Sequence, residues 1–239
     1  MIPLKDDTPR VHKPVAVALI ILANVGMQYA VSSLPPYARE AVMRLLGVVP
    51  ARYVFPDWAA VAGFPPMGVL PFFTYMFLHA GWWHLIMNMW MLWIFGDNIE
   101  DVMGPLRFMV FYLLCGLAAL ALHMAFHLTG GEPIIGASGA IAGVLGAYIT
   151  LYPRGRVLTL IPILIIPFFV RLPAWLFLGF WFATQVLSGL YASLSVQAAG
   201  IAWWAHVGGF LAGMFLVRLF MRPERCVYCE YKGRDFRFS

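Results

Sequence analysis

Four polar residues within apolar stretches of the chain could together carry out acyl transfer. Ser138, in GASGAIAGVLGAY, offers a hydroxyl nucleophile, and His206, in AHVGGFLAG, offers an imidazole that could take its proton. His84 and Asn88, in HLIMN, are four residues apart, so a helix presents both side chains on one face. With the backbone N–H of Ser138, these two donors could stabilise the negative charge of a tetrahedral intermediate. The three stretches together predict a nucleophile, a general base and an oxyanion hole.

Each stretch also has a simpler explanation when taken alone. Glycines recur at four-residue spacing in two of them: Gly139 with Gly143, and Gly209 with Gly213. This spacing is typical of closely packed transmembrane helices, in which Ser is also common. Gly136 and Gly139, which flank the serine, would serve either close helix packing or close approach of a substrate backbone. The HLIMN pair could be an interhelical hydrogen bond, whereas His206 is harder to explain, because an ionisable residue within a span is costly.

The composition places these residues in a membrane. Of 239 residues, 62% are hydrophobic and 11% charged, and the mean hydropathy is +0.80. A helix needs about 20 residues to cross a hydrocarbon core. Six apolar runs come near or above this length: 15–34, 82–101, 106–128, 137–152, 173–192 and 201–221. The sequence therefore predicts an all-α membrane protein with six transmembrane helices, in which helices two, four and six begin at the same face and bring His84, Ser138 and His206 to similar depth.

The basic residues predict the orientation of the six spans. Of the 16 Lys and Arg residues, only Arg39, Arg44 and Arg52 fall on the side opposite to the two termini. The positive-inside rule then places both termini in the cytoplasm. The net charge of +5 is thus explained by topology, and no nucleic-acid partner is expected.

The span positions divide the chain into three parts. We expect a cytoplasmic N-terminal tail over 1–13, a six-helix membrane domain over 14–221 and a basic cytoplasmic C-terminal tail over 222–239. The first span is interpreted as a retained helix, because no convincing signal-peptide cleavage site follows it. The run at 157–170 has two prolines and is short for a span, so it is predicted to be an interfacial segment leading into the fifth helix.

The remaining polar residues are assigned simple roles. Cys226 and Cys229 form one CVYC, half of a zinc site at best, and are expected to be unpaired and exposed; no metal or other cofactor is expected. Four residues at the cytoplasmic end of the second helix are predicted to be solvated: Asp97, Asn98, Glu100 and Asp101. Four others are predicted to form hydrogen bonds in helix packing: Asn24, Gln28, Thr184 and Gln185.

In order and spacing, these motifs resemble those of the rhomboid-family intramembrane serine proteases. The resemblance covers roughly 70–215 and rests on HLIMN, GASG, AHVGG and the lead-in FLHAGWWH, which contains His79. It implies that Ser138 is the nucleophile and His206 the general base of a dyad without an acidic third member. It also implies that His84 and Asn88 belong to the oxyanion hole.

The resemblance further implies substrates and a location. The substrates would be transmembrane segments of membrane proteins, cut near the outer face within the lipid bilayer. A region like the fifth helix and the loop after it is proposed in the family to admit substrate laterally. We expect a multi-pass protein of a bacterial cytoplasmic membrane, with its oligomeric state left open.

The sequence departs from the family at two places. Many relatives place an aromatic ring four residues after the nucleophile, against the catalytic imidazole, where this chain has Ala142. Support for His206 must then come from elsewhere, with Trp203 and Trp204 as candidates. The Trp-Arg pair that relatives often carry before the second helix is replaced by Leu70-Pro71, which leaves open what anchors the first loop.

Two other functions compete with the protease. A catalytically weak or inactive rhomboid-like protein that binds membrane clients would share the fold, but would be expected to lack the serine or the histidine. A small transporter or channel could use the two histidines and Asn88 to line a path. That path would need polar residues deeper in the helices, and the fourth predicted span has none between Ser138 and Tyr148.

Overall fold

The computed structural model of the chain describes residues 1–66, 68–163, 166–194 and 201–230. Its secondary structure is mostly helical, with short strands near the N-terminus and before the fifth predicted span. The elements in chain order are β1 (Ile2–Asp6), α1 (Val15–Ser32), α2 (Pro36–Leu46), α3 (Pro50–Val54), α4 (Pro56–Val61), α5 (Pro71–Thr74), α6 (Trp82–Met103), α7 (Pro105–Phe126), α8 (Ser138–Leu151), β2 (Arg156–Ile163), β3 (Ile166–Pro173), α9 (Ala174–Leu194) and α10 (Trp203–Phe220). Short 3-10 turns cover Tyr75–Phe77 and Pro223–Arg225.

Each of the six apolar runs contains one helix of the structure. Within the described residues, four of these helices are long and apolar enough to cross a membrane: α1, α7, α9 and α10. The helix α8 is apolar but has only 14 residues. The helix α6 has 22 residues and carries acidic side chains in its last two turns.

The helix α8 packs against α7 and α10, which also pack against each other, and glycines permit the close contact of α8 with α10. A β-carbon on Gly209 would collide with the backbone carbonyl of Gly139, and one on Gly213 would collide with that of Gly143. Residues 139–148 of α8 are all buried. Because only hydrogen atoms separate these backbones, α8 and α10 are held at a distance that no larger residue would permit.

A three-stranded antiparallel sheet in the order β1-β2-β3 corrects the expected all-α fold. The run predicted to be interfacial is instead the hairpin of β2 and β3, which leads directly into α9. Its two prolines, Pro162 and Pro167, face each other near the ends of the paired stretch, where they interrupt few ladder hydrogen bonds. Fourteen residues are few for a span but enough for two strands, and pairing satisfies their backbone groups.

The acidic end of α6 holds the N-terminal segment and is not simply solvated, so that prediction is wrong. The Glu100 carboxylate, with its residue 2% exposed, accepts hydrogen bonds from the backbone N–H groups of Ala16 and Val17, each at 2.8 Å. Asp101 accepts two backbone N–H bonds and the Nδ1–H of His12, at 2.6 Å from His12 Nδ1. Free N–H groups at a helix start attract carboxylates, which explains the burial of the Glu100 charge.

The last described residues cover the far end of α8. Cys226 and Cys229 form a disulfide, and Cys229 is buried, so the expectation of unpaired, exposed thiols is wrong. The backbone N–H of Glu230 donates to the carbonyl of Leu151 at 2.9 Å. The rest of the predicted C-terminal tail, 231–239, lies outside the described residues.

Arg52 anchors the segment between α1 and α6. It is 2% exposed and donates to the carbonyls of Pro65 and Pro66 at 3.1 and 3.3 Å. Its guanidinium lies over the Phe64 ring, 5.3 Å from the ring centroid. A backbone bridge between Val48 and Ile134 then ties this segment to the residues that precede α8. These contacts fix the loop in the absence of a Trp-Arg pair before α6.

Candidate active site

The starts of α8 and α10 bring Ser138 and His206 together, although 68 positions separate them in the chain. Ser138 is the first residue of α8, and His206 lies in the first turn of α10. The distance from His206 Nε2 to Ser138 Oγ is 2.8 Å, which is a hydrogen bond. This is the contact between nucleophile and general base that acyl transfer requires.

Gln185 of α9 lies on the other side of the imidazole, a contact that the sequence did not predict. His206 Nδ1 is 2.7 Å from Gln185 Oε1. Gln185 was predicted only to form a packing hydrogen bond. Its position four residues after Trp181 on an apolar helix was the one available signal, because both side chains then share a face.

Aromatic rings of α9 and α10 surround His206 where Ala142 offers none. The Trp181 ring lies 5.9 Å from the imidazole, centroid to centroid, and Trp203 meets it edge-on at 6.2 Å. Trp204, the other candidate, instead stacks on Phe126 at 4.0 Å and donates a hydrogen bond to Ser193. The side of the imidazole is therefore covered mainly by α9 and by Trp203.

His84 presents a ring nitrogen to the space beside Ser138. The backbone N–H of Ala80 points at His84 Nδ1 from 3.4 Å, which makes Nδ1 an acceptor and leaves the proton on Nε2. A β-carbon built on Gly136 would stand 3.0 Å from His84 Nε2 and 3.8 Å from Ser138 Oγ. A side chain at residue 136 would therefore stand between His84 and Ser138, and the glycine leaves that position free.

The backbone of Gly136 is held by the segment before α6. Its φ of 121° is one that only glycine adopts without strain. Its N–H donates to the carbonyl of Tyr75 at 2.9 Å, and the Tyr75 hydroxyl donates to the carbonyl of Gly116 on α7 at 2.7 Å. These bonds fix the turn that starts α8 and delivers Ser138.

Asn88 lies one turn further along α6 than His84 and is 7% exposed. In the described part of the chain its Nδ2 has no hydrogen-bond partner, although the atom is buried. The amide can therefore donate to a group that enters the site without first losing another partner among the described residues.

His79 packs against His84. Its ring meets that of His84 edge-on, with 4.9 Å between the centroids. Burial, with a smaller effect of His84, lowers the pKa of His79 to about 3, so this ring is neutral at physiological pH. It therefore supports His84 by packing and adds no charge.

The described residues contain no cluster of three or more His, Cys, Asp or Glu side chains placed to hold a metal ion. The groups that meet at the starts of α6, α8 and α10 are a hydroxyl, imidazoles and an amide. This set matches nucleophilic catalysis with hydrogen-bond stabilisation of an oxyanion.

The chain is similar to a family model and to several known proteins. The family model described as "Rhomboid domain" matches residues 67–223, which include Ser138, His206, His84 and Asn88. The chain is 31% identical to Rhomboid protein 1, mitochondrial, of Saccharomyces cerevisiae over 149 residues, or 58% of this chain and 38% of that protein. It is 30% identical to the human Presenilin-associated rhomboid-like protein, mitochondrial, over 156 residues, or 62% of this chain and 37% of that protein.

A plant protein has a similar level of identity to this chain. The chain is 33% identical to RHOMBOID-like protein 6, mitochondrial, of Arabidopsis thaliana over 155 residues, or 63% of this chain and 44% of that protein. The matched region thus spans less than half of each of these three relatives.

All three are named mitochondrial, which overturns the expected location in a bacterial cytoplasmic membrane. The general composition of a membrane protein could not have distinguished these two locations. The match of the domain model over most of the chain, together with these relatives, shows that the protein belongs to the rhomboid family.

Proposed function

We propose that the protein is an intramembrane serine endopeptidase that cleaves transmembrane segments of membrane proteins. The observation that carries this proposal is the 2.8 Å contact between His206 Nε2 and Ser138 Oγ. The open space next to it, bordered by Gly136 and His84, is where the carbonyl of a scissile peptide would lie. Ser138 is the proposed nucleophile and His206 the proposed general base.

The proposed reaction has two halves. The Ser138 Oγ–H proton passes to His206 Nε2 as Oγ bonds to the scissile carbonyl carbon, and the carbonyl oxygen becomes an oxyanion. His206 then gives this proton to the leaving amine as the C–N bond breaks, which leaves an acyl-enzyme. Water, deprotonated by His206, attacks the ester, and the proton returns to Ser138 as the new carboxyl product leaves.

Three donors would stabilise the oxyanion. His84 Nε2–H and Asn88 Nδ2 project from one face of α6, and the backbone N–H of Ser138 belongs to the unsatisfied first turn of α8. Donors that are already oriented and shielded from water stabilise developing charge at little reorganisation cost. The unpaired amide of Asn88 supports this role.

Strand pairing supports a topology of six spans with both termini on one side. Because β1 pairs with β2, an even number of crossings separates the N-terminal segment from the hairpin, and four of the six proposed spans (α1, α6, α7 and α8) lie between them. The bond from Glu230 N–H to the Leu151 carbonyl brings the last described residues to the same side, after α9 and α10. The proposed membrane domain is 14–221, flanked by 1–13 and 222–239.

The proposed site then lies near the membrane face opposite to the termini. Ser138 and His206 begin α8 and α10, whereas the sheet lies at the other end of α8. A site near one face can retain the water that deacylation needs, unlike a site at the bilayer centre. The names of the relatives support a mitochondrial membrane as the location, and the proposed partners are membrane-spanning protein substrates and the bilayer.

Cleavage of a reporter transmembrane substrate tests the proposal. Wild type, Ser138→Ala and His206→Ala are purified in detergent, reconstituted in liposomes, and labelled in parallel with a fluorophosphonate probe. We expect cleavage by the wild type alone and labelling that disappears in Ser138→Ala. Cleavage that survives Ser138→Ala would refute the assignment, and a folded wild type that neither cleaves nor labels would favour a client-binding protein without activity.

A further inference from the structure

We propose that Gln185 is a positioning residue that holds His206 in the orientation and tautomer that general-base catalysis needs. This inference rests on the proposed protease function and adds a third member to its dyad. It starts from the 2.7 Å distance between His206 Nδ1 and Gln185 Oε1.

Neighbouring groups determine which atom of the Gln185 amide faces His206. Gln185 Nε2 lies 3.2 Å from the carbonyl oxygen of Trp181 and 3.1 Å from Thr184 Oγ1. A carbonyl oxygen can only accept, so the amide nitrogen must be on that side. The Thr184 hydroxyl donates its own proton to the Trp181 carbonyl at 2.6 Å, which leaves its oxygen free to accept from Gln185.

The amide orientation sets the tautomer of the imidazole. Because Gln185 Oε1 can only accept, the hydrogen bond requires a proton on His206 Nδ1. Nε2 of the neutral ring then carries a lone pair, and this is the atom 2.8 Å from Ser138 Oγ. In the other tautomer, Gln185 Oε1 would face the lone pair of Nδ1, and Nε2, already protonated, could not take the Ser138 proton.

The contact also persists through the reaction. When His206 accepts the Ser138 proton, Nδ1–H continues to donate to Gln185, so the ring need not rotate between the two halves of the cycle. Gln185 is 6% exposed, so water has little access to compete for this bond. A neutral amide thus performs the orienting part of the task that a carboxylate performs in a Ser-His-Asp triad.

One face of α9 supplies two contacts that support the imidazole of His206. Trp181 and Gln185 are one turn apart, and the ring of the first and the amide of the second both contact the imidazole. They occupy the role left open by Ala142 of α8. The geometry of His206 on α10 therefore depends on the position of α9.

The test uses Gln185→Met, Gln185→Leu and Gln185→Glu in the liposome assay. Met is nearly isosteric but lacks a good acceptor, Leu removes all polarity, and Glu keeps an oxygen acceptor. The matched control is Ser193→Ala, a small polar residue of α9 that bonds to Trp204 and does not belong to the proposed machinery. Thermal unfolding in detergent checks that each variant is folded.

We expect Gln185→Met and Gln185→Leu to lower kcat by about 100-fold while KM stays within about twofold, since loss of an orienting partner of a functional His typically costs 10- to 100-fold or more. Fluorophosphonate labelling of Ser138 should slow in parallel. Gln185→Glu should recover at least about a tenth of the wild-type kcat, and Ser193→Ala should match the wild type.

Three results would overturn the positioning role: wild-type kcat in folded Gln185→Met, a loss confined to KM, or a Gln185→Glu variant no better than Gln185→Leu. If Gln185→Leu alone fails to fold, Gln185→Met decides between these outcomes. Ser138→Ala, measured beside them, separates the two hypotheses. An inactive Ser138→Ala with fully active Gln185 variants refutes the positioning role alone, whereas an active Ser138→Ala or an inert wild type refutes the protease and the positioning role together.

Discussion

The imidazole of His84 and the α-carbon of Gly136 face each other so closely that a methyl group at residue 136 would touch the ring. A β-carbon there would lie 2.9 Å from His84 Cε1 and 3.0 Å from His84 Nε2. The same atom would be 3.8 Å from Ser138 Oγ, within the space proposed for the scissile carbonyl. The cleft therefore depends on the absence of one side chain.

The variant Gly136→Ala should lose most of the activity, with kcat/KM reduced by about 100-fold or more. The methyl group would stand between the proposed oxyanion donor and the proposed nucleophile, and displacements of about 1 Å at a reacting centre cost about this much. The φ of 121° adds backbone strain. The control Gly131→Ala lies in the preceding loop, where a β-carbon meets nothing within 4 Å, and should be fully active. Near-normal cleavage by Gly136→Ala would show that the substrate carbonyl binds elsewhere.

Removal of the Asn88 amide should slow the chemical step. We expect Asn88→Ala to reduce kcat by about 100- to 1,000-fold with little change in KM, the usual effect of losing one oxyanion donor. Asn88→Asp, which has the same size but no donor when ionised, should be at least as slow. Thr150→Val, which removes a hydroxyl bonded to the Gly146 carbonyl in the last turn of α8, serves as the control. An Asn88→Ala enzyme with unchanged kcat would mean that His84 and the Ser138 backbone suffice.

The close contact of α8 and α10 predicts a strong effect on stability. In Gly209→Val, the new side chain would meet the Gly139 carbonyl, so the helices must separate. We expect the free energy of unfolding to fall by at least about 2 kcal/mol, as in overpacked cores. Reversible unfolding in mixed SDS micelles measures it. Gly26→Ala on α1, where a β-carbon meets nothing within 4 Å, should unfold no more readily than the wild type, because Ala favours a helix over Gly. Equal stability of the two variants would contradict the close contact of α8 with α10.

Hydropathy and spacing predicted much of this architecture. The lengths of the apolar runs located six helices to within about three residues, because burial in lipid requires apolar side chains over a fixed length. The shared direction of alternate spans then predicted that Ser138 and His206 lie at similar depth. Both deductions use one-dimensional information, namely the length and direction of each helix.

Features that depend on rotation or on distant pairing were missed. The partner of His206 could not be identified, because the sequence does not fix how α9 is rotated toward α10, and Gln185 looked like any polar residue in a span. The β1–β2 pairing joins Ile2 to Leu160, too far apart in sequence for any local pattern to show it. Glu100 was assigned to solvent because its partners, the N–H groups that start α1, are backbone atoms.

The contacts of Glu100 should stabilise the start of α1. We expect Glu100→Gln, which loses the charge and one acceptor oxygen, to lower the free energy of unfolding by about 1 to 3 kcal/mol. Cleavage near Ala16 by an added protease should also become faster. Glu132→Gln, in the exposed loop before α8, is the matched control and should change neither quantity. Unchanged protection of Ala16 would indicate that the Glu100 carboxylate contributes nothing to this helix start.

Asp6 should make stability depend on pH. Burial raises the pKa of its carboxyl above 3.8, although the Tyr148 hydroxyl donates to it at 2.7 Å. A raised pKa means that the folded state binds the proton more tightly, so stability is lost as pH rises from 3.8 through the folded pKa. Asp6→Asn keeps an acceptor for Tyr148 but cannot ionise. We therefore expect the wild type to become less stable relative to Asp6→Asn as pH rises through this window, measured by unfolding at a series of pH values. A constant difference would contradict the assigned shift.

The pairing of β1 with β2 also dictates an order of events during synthesis. Residues 2–6 leave the ribosome long before the strand they pair with, which begins at Arg156, after four helices of the proposed bundle have been made. Until β2 has been made, the edge of β1 is unpaired. The carboxylates of α6 can by then hold only the residues between β1 and α1. Closure of the sheet therefore waits until the helices between β1 and β2 have been made, and a nascent chain arrested before residue 156 should leave residues 2–6 accessible to proteases that the folded protein resists.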